Sequence, residues 1–325
     1  MKPLFSFERV LEYINKDIEN ISYDHNPKTL FEPITYILAL GGKRVRPALA
    51  LMSYNLYDKD IQKAMPAALA VEIFHNFTLL HDDLMDKADM RRGKPAVHIK
   101  WSDNSAILSG DAMLIEAYKE LCKLEGSKLV ECLNVFSTTA TEICCGQQLD
   151  MEFEQRLDVT IDEYIEMIRL KTAVLLGGAL EMGGIIGGAA KEDLENLYKF
   201  GIYIGLAFQL MDDLLDVYGD TASFGKRIGG DILCNKKTYL LISALNGASK
   251  KDELLGWINK TEYSEEEKIK AVTEIYNSLG IKEKAEEKVQ EYYLKAIDAL
   301  KLVKVEEDRK SELYALAKLL KVRNA

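Results

Sequence analysis

Apolar residues in this chain recur mostly three and four positions apart, the period of helices that bury one face. Two long apolar runs, Ala67 to Leu80 and Phe200 to Met211, read as core helices. Polar residues mark helix starts: Thr160 with Glu163, and Ser264 with Glu267, have the spacing of capping boxes. Gly41-Gly42, Gly93 to Pro95 and Ser223 to Gly230 interrupt the periodic stretches and are expected to be loops. Strands have no comparable signal, because no Asn-Gly turn joins alternating segments and no regular alternation of β runs and helices occurs. The pattern predicts an all-α protein of ten or more helices. No linker, low-complexity stretch or repeat divides residues 1–325, so a single domain is expected.

The stretch from Thr172 to Ala190 has nearly the length and composition of a membrane span. Glu181 at its centre and six glycines (Gly177, Gly178, Gly183, Gly184, Gly187 and Gly188) argue instead for a buried helix with a small-residue face. Lys171-Thr172 is expected to open that helix.

At the far end of each long apolar run lies the same acidic pattern: Asp82-Asp83-Leu84-Met85-Asp86, and 130 positions later Asp212-Asp213-Leu214-Leu215-Asp216. Helical spacing stacks the first and last Asp of each pattern on one face, where like charges repel. Carboxylates beside apolar helix faces need a cationic partner. An all-oxygen donor set suits Mg²⁺, which takes one or two protein carboxylates and completes its shell with water and substrate phosphate. Asp enrichment at helix starts would be the simpler explanation, but both patterns fall at the wrong end. Two facing helices holding a phosphorylated substrate through Mg²⁺ is the economical reading.

Basic residues follow each cluster. Arg91-Arg92-Gly93-Lys94 comes after the first, and Lys226-Arg227 and Lys236-Lys237 after the second. The turn Gly41-Gly42-Lys43-Arg44-Val45-Arg46-Pro47 carries three positive charges into a new helix. Such groups suit two diphosphate pockets, one bridged by metal and one gripped directly. The overall charge of −10 argues against a nucleic-acid partner. The five cysteines lack metal-ligand spacing, and Glu8, Glu12 and Asp17 do not suit a signal peptide, so a cytoplasmic protein is expected.

Seven motifs now stand in order: Gly-Gly-Lys-Arg-x-Arg-Pro, Leu-x-His-Asp-Asp-x-x-Asp, Arg-Arg-Gly, Gly-Gln-x-x-Asp, Lys-Thr, Phe-Gln-x-x-Asp-Asp-x-x-Asp, and Gly-Lys. Between Gly41 and Thr238 the chain resembles the trans-isoprenyl diphosphate synthases, the head-to-tail short-chain prenyltransferases. The resemblance implies an isoprenoid synthase-type helical bundle around a central cavity, usually a homodimer, with three Mg²⁺ per site. Asp82 and Asp86 would hold Mg²⁺ at the allylic diphosphate with Asp83 supporting them; Asp212 would bind the third ion, helped by Asp213 and Asp216. Arg91, Lys171, Lys226 and Lys236 (or Lys237) would contact the allylic diphosphate, and Lys43, Arg46, His75 and Arg92 isopentenyl diphosphate. His75 lies seven residues, two turns, before Asp82 on the same face. Gln147, Asp150, Thr172 and Gln209 would line the reacting centre; His81 takes no role beyond a structural or supporting one.

Rival readings explain less. A metal-dependent phosphohydrolase built on His81-Asp82 leaves the second cluster without a purpose. A terpene cyclase usually replaces that cluster and lacks the Lys43 and Arg46 set, and a non-catalytic subunit would be expected to have lost one cluster. Product length is expected to be set one to three turns before Asp82. There a ring at Phe77 forms a floor, Thr78 leaves room beside it, and Phe74 lies one turn deeper. One aromatic at this position without an insertion in the first Asp motif resembles enzymes stopping near twenty carbons, with fifteen as the alternative.

Overall fold

Helix α1 (Phe7–Glu19) starts where the Ser6 hydroxyl accepts the Arg9 N–H at 3.3 Å, and only one of its faces, with Val10 and Ile14, is buried. That amphipathic design holds at the periphery and fails at the centre. In α3 (Val45–Asn55) every residue from Pro47 to Asn55 is buried, and α4 (Met65–Met85) is buried nearly all round until its last three turns. The computed structural model describes residues 5–219, 228–247 and 249–322. Between α1 and α3 lies α2 (Lys28–Ala39). After α4 come a hairpin of two-residue strands, β1 (Met90–Arg91) and β2 (Lys94–Pro95), then α5 (Val97–Lys100), α6 (Asp103–Leu121) and α7 (Ser127–Glu154). Helix α8 (Ile161–Ile168) runs through a π-helical turn, Arg169–Ala173, into α9 (Val174–Gly187), followed by α10 (Lys191–Tyr218). The remainder is α11 (Gly230–Leu233), α12 (Tyr239–Leu245), α13 (Lys251–Asn259), α14 (Glu265–Ser278), α15 (Ile281–Leu302) and α16 (Ser311–Val322). The all-α expectation holds, with the hairpin as the β structure among the described residues.

The chain forms two compact units. The first comprises Met1–Ser137, Gly178–Leu197 and Lys304–Leu313. In it α4 packs along α6 and α3. A Cβ at Gly183 would lie 2.1 Å from the Ala50 carbonyl oxygen, so the small-residue face of α9 lets two backbones touch. The Ser53 hydroxyl donates to Leu180 O at 2.6 Å across that contact. An ion pair between Arg44 and Glu72 is almost wholly buried; Arg44 also donates to Leu38 O at 2.7 Å, and Asn76 Nδ2 donates to Glu72 Oε1 at 2.7 Å. Of the three charges expected to decorate the glycine turn, Arg44 is therefore turned inward.

The second unit comprises Thr138–Gly177, Tyr198–Val303 and Tyr314–Ala325. Here again glycines replace side chains where helices close up: a Cβ at Gly146 would lie 2.3 Å from Lys171 N, and one at Gly205 2.7 Å from Ala173 Cα. Lys171 and Thr172 do not open a helix as expected. They sit in the π turn of a continuous stretch, Ile161–Gly187, whose start is capped at Thr160. That stretch is long and apolar enough to cross a membrane, yet 78% of its most apolar window is buried, which accounts for its hydrophobicity. Thr160 and Glu163 form the full capping box. Ser264 accepts the Glu267 N–H at 3.1 Å, whereas the Glu267 carboxylate faces Lys260 Nζ at 3.8 Å.

Two substitutions should separate buried from exposed polar stabilisation. Glu72→Ala strands the buried Arg44 charge and should cost about 3–5 kcal/mol. Thr160→Ala removes an exposed cap and should cost about 1 kcal/mol. Urea unfolding of both variants beside the wild type checks the ranking; equal losses would contradict it.

Candidate active site

The first cluster owes its placement to how α4 ends. Lys87 takes a left-handed conformation (φ 52°), its N–H donates to Leu84 O at 3.3 Å, and the Ala88 N–H donates to Asp83 O at 2.8 Å. This is a Schellman closure, and it fixes all three aspartates in the last turn, next to the partial negative charge of the helix end. Asp82 is half-buried, Asp86 exposed and Asp83 fully buried. Asp83 turns away from the other two and receives Arg91, whose Nε lies 2.9 and 3.0 Å from its two oxygens and whose Nη2 also donates. Burial pushes the Asp83 carboxyl up, against the pull of Arg91.

Arg91 ends β1, and Arg92-Gly93 form the two-residue turn, both with positive φ (52° and 73°), as the twist of a tight hairpin demands. Arg92 Nη1 then reaches back to donate to Gly41 O. Its guanidinium lies 2.8 Å from where a Cβ on Gly42 would stand, and Gly42 has φ 140°, a backbone conformation that favours glycine. The latch brings Lys43, which is exposed, and Arg46 into one region with Arg92. Arg46 Nη1 is 3.2 Å from His75 Nε2. Burial, reinforced by Arg46, Arg92, Arg91 and Arg44, lowers the His75 pKa well below its ordinary value. A neutral His75 accepts from Arg46 at Nε2 and carries its hydrogen on Nδ1. Deeper along α4, the Thr78 hydroxyl donates to His75 O at 2.8 Å, Phe77 is half-exposed and Phe74 is 1% exposed beneath it.

The second cluster lies near the carboxyl end of α10. Asp213 is 4% exposed, and its oxygens accept from the Tyr164 hydroxyl and, at 3.3 Å, from Gln209 Nε2. Gln209 Oε1 accepts in turn from the Thr172 hydroxyl at 3.2 Å, so the π turn and α10 are joined by a directed chain, Thr172 to Gln209 to Asp213. Burial and the neighbouring charge of Asp231 push the Asp213 carboxyl up to about 7, against Tyr164, Lys236 and Gln209. Asp216 accepts the Asp231 N–H at 3.0 Å, and its own carbonyl accepts the Gly229 N–H at 2.6 Å, which folds the chain after α10 back onto the cluster. Asp212 and Gln147 are half-buried, and Lys171 Nζ donates to Asp150 Oδ2 at 2.6 Å. Lys226 lies outside the described residues.

Of the two lysines the sequence left open, Lys237 is 7% exposed and donates to the carbonyls of Glu154 (3.3 Å) and Asn235 (3.2 Å). Lys236 is the one whose charge acts on Asp213. The loop carrying both is held by Lys268, 1% exposed, which donates to Asn235 Oδ1 at 2.8 Å. Tyr164 and Lys268 were not anticipated. Tyr164 is 49 residues from Asp213 and Lys268 is 33 from Asn235, and neither sits in a motif, so only the folded chain identifies them.

Among the described residues no group of three or more His, Cys, Asp or Glu forms a ready-made metal cage. Mg²⁺ does not require one, since it takes one or two carboxylates and fills its shell with water and phosphate oxygen. The donors offered are all oxygen, with exposed or half-buried Asp82, Asp86 and Asp212 beside buried Asp83, Asp213 and Asp216, and they fit that ion.

A geranylgeranyl diphosphate synthase of Methanosarcina mazei is 41% identical over 242 residues, 74% of this chain and 75% of that protein. A solved geranylgeranyl pyrophosphate synthase superposes with a TM-score of 0.94 at 42% identity, covering 99% of this chain and all of the other. A geranylgeranyl pyrophosphate synthase of Corynebacterium glutamicum, solved with isoprenyl diphosphate and magnesium, superposes at 0.83 with 27% identity over 98% of this chain and 97% of its own. Residues 27–276 match the family model described as polyprenyl synthetase, and the chain is a member of that family.

Proposed function

We propose that this protein condenses isopentenyl diphosphate with an allylic prenyl diphosphate, head to tail, and that geranylgeranyl diphosphate is its principal product. The observation that carries the reading is the pair of Asp clusters, each ending an apolar helix and each followed by basic groups. The similarity to synthases named for the twenty-carbon product supports the product, with farnesyl diphosphate as the alternative.

In this reaction the allylic C–O bond breaks and diphosphate leaves with the bonding electrons. The isopentenyl double bond attacks the allylic cation, and a proton then passes to an oxygen of the released diphosphate. Three Mg²⁺ ions, when bound, would neutralise charge building on the departing oxygens. Asp82 and Asp86 of the first cluster and Asp212 of the second would hold them; Asp83 is already engaged by Arg91 beside the first two, and Asp213 and Asp216 by Tyr164 and the Asp231 N–H beside Asp212. Arg91, Lys171, Lys226 and Lys236 hold the allylic diphosphate. Lys43, Arg46 and Arg92 hold isopentenyl diphosphate, and neutral His75 keeps Arg46 aimed. The oxygens of Gln209 and Thr172 face the cationic carbon, with Gln147 and Asp150 lining the same region. No protein base is needed, which suits a chain with four histidines. The reading includes a single functional domain, a cytoplasmic location and a homodimer. Exposed Ile107, Leu108 and Ile115 on α6 offer the apolar surface a second copy would cover.

Incubating the protein with Mg²⁺, isopentenyl diphosphate and an allylic diphosphate, then sizing the lipid, tests the whole reading. Twenty carbons are expected, and Phe77→Ala should lengthen the product; a wild type making thirty carbons or more would overturn the assignment. Asp82→Ala and Asp212→Ala should each lower turnover at least ~10²-fold. Near-full activity in either, with Mg²⁺ limiting, would refute the three-ion site. Arg46→Ala should raise KM for isopentenyl diphosphate more than for the allylic partner, and steady-state kinetics with each substrate varied would expose a reversed assignment.

A further inference from the structure

Aromatic rings below the first Asp cluster touch in series. The Phe77 ring meets His81 edge-on at 4.7 Å and lies 5.4 Å from Phe74. Phe74 meets Phe136 at 5.1 Å, and Phe136 meets Tyr118 at 5.0 Å, both edge-on. Phe74 and Phe136 are each 1% exposed, so packing fixes Phe77 from below. Its other neighbour in the series, His81, lies one turn above on the same face of α4, between Phe77 and the aspartates.

His81 is itself held from outside its helix. Nε2 lies 3.2 Å from Ile107 O on α6, and a carbonyl only accepts, so that nitrogen bears the hydrogen. The imidazole fills a notch at Gly110, where a Cβ would stand 2.2 Å from Nε2. Glycine inside a helix is unfavourable, and seating His81 accounts for this one. A histidine that merely filled space would need neither a notch in the facing helix nor a directed bond to it.

We propose that His81 is a positioning residue for product length: seated in the Gly110 notch and bonded to Ile107 O, it braces the Phe77 ring across the path of the growing chain. The proposal rests on the reading of Phe77 as the floor. Without the brace the half-exposed ring can swing to a second rotamer, and the chain passes. An edge-to-face pair biases such a choice about two- to tenfold.

The test compares wild type, Phe77→Ala, His81→Ala, His81→Phe, His81→Gln and the Phe77→Ala/His81→Ala double variant. Each receives farnesyl diphosphate, isopentenyl diphosphate and Mg²⁺, and the products are sized by mass spectrometry. In His81→Ala the fraction longer than twenty carbons should rise about two- to tenfold. His81→Phe, which keeps a ring edge, should return towards wild type. The double variant should match Phe77→Ala, because His81 acts through that ring. His81→Gln keeps a donor towards Ile107 O without a ring and should lengthen the product as Ala does, so it serves if the Ala variant does not fold. Lower turnover with unchanged product length in His81→Ala and His81→Gln overturns the brace while leaving the floor intact, and so does a double variant longer than Phe77→Ala. Unchanged length in Phe77→Ala defeats the floor reading, and the brace with it.

Discussion

A carboxylate at the carboxyl end of a helix meets the partial negative charge of the last carbonyls, and this protein places three there twice. Much of the surrounding polar structure can be understood as an answer to that repulsion. One aspartate of each cluster is buried against a fixed donor, Asp83 on Arg91 and Asp213 on Tyr164, which anchors the helix end. A second from the later cluster, Asp216, receives the backbone N–H of Asp231. Asp82, Asp86 and Asp212 retain more solvent access, which a cation and its water shell require.

Rigid backbone supplies the opposing charges. Positive-φ residues are concentrated in the two segments that bring arginines near α4: Gly41, Gly42 and Arg44 in one, Arg92 and Gly93 in the other. The Arg92 bond to Gly41 O ties the segments together, and Arg44 sinks into the core on Glu72. A guanidinium held this way loses little further freedom when it grips a phosphate, so more of its interaction energy remains for binding. Lys237 and Lys268 play the same part behind the second cluster, where their buried ammonium groups hold the loop from which Lys236 projects.

The acidic ends are joined to apolar helices for a chemical reason. An allylic cation is quenched by water, so the charge that draws diphosphate away must stand beside a dry wall. On the proposed reading, helix α4 would carry both functions in sequence order, with Phe74, Phe77 and His81 as successive rings before Asp82. Close helix contacts at Gly146, Gly183 and Gly205 leave no room for a Cβ.

The sequence by itself determined the helical class, the Asp clusters, the basic motifs and the family, because each is a matter of residue type at fixed local spacing. The Thr160 cap and the glycine turns belong to the same kind, being decided within a few residues. Tertiary structure decided how each charged group is used. Nothing in residue type distinguishes Arg44 from Arg46, yet one is buried on Glu72 and the other faces His75, about one turn further along α4. Lys236 and Lys237 diverge in the same way: Lys237 is buried and donates to the carbonyl of Glu154, 83 residues away, while Lys236 is exposed. The Tyr164 bond to Asp213 and the seating of His81 against Gly110 are likewise contacts between distant segments. Periodicity shows which face of a helix is apolar, and only packing fixes which neighbour that face meets.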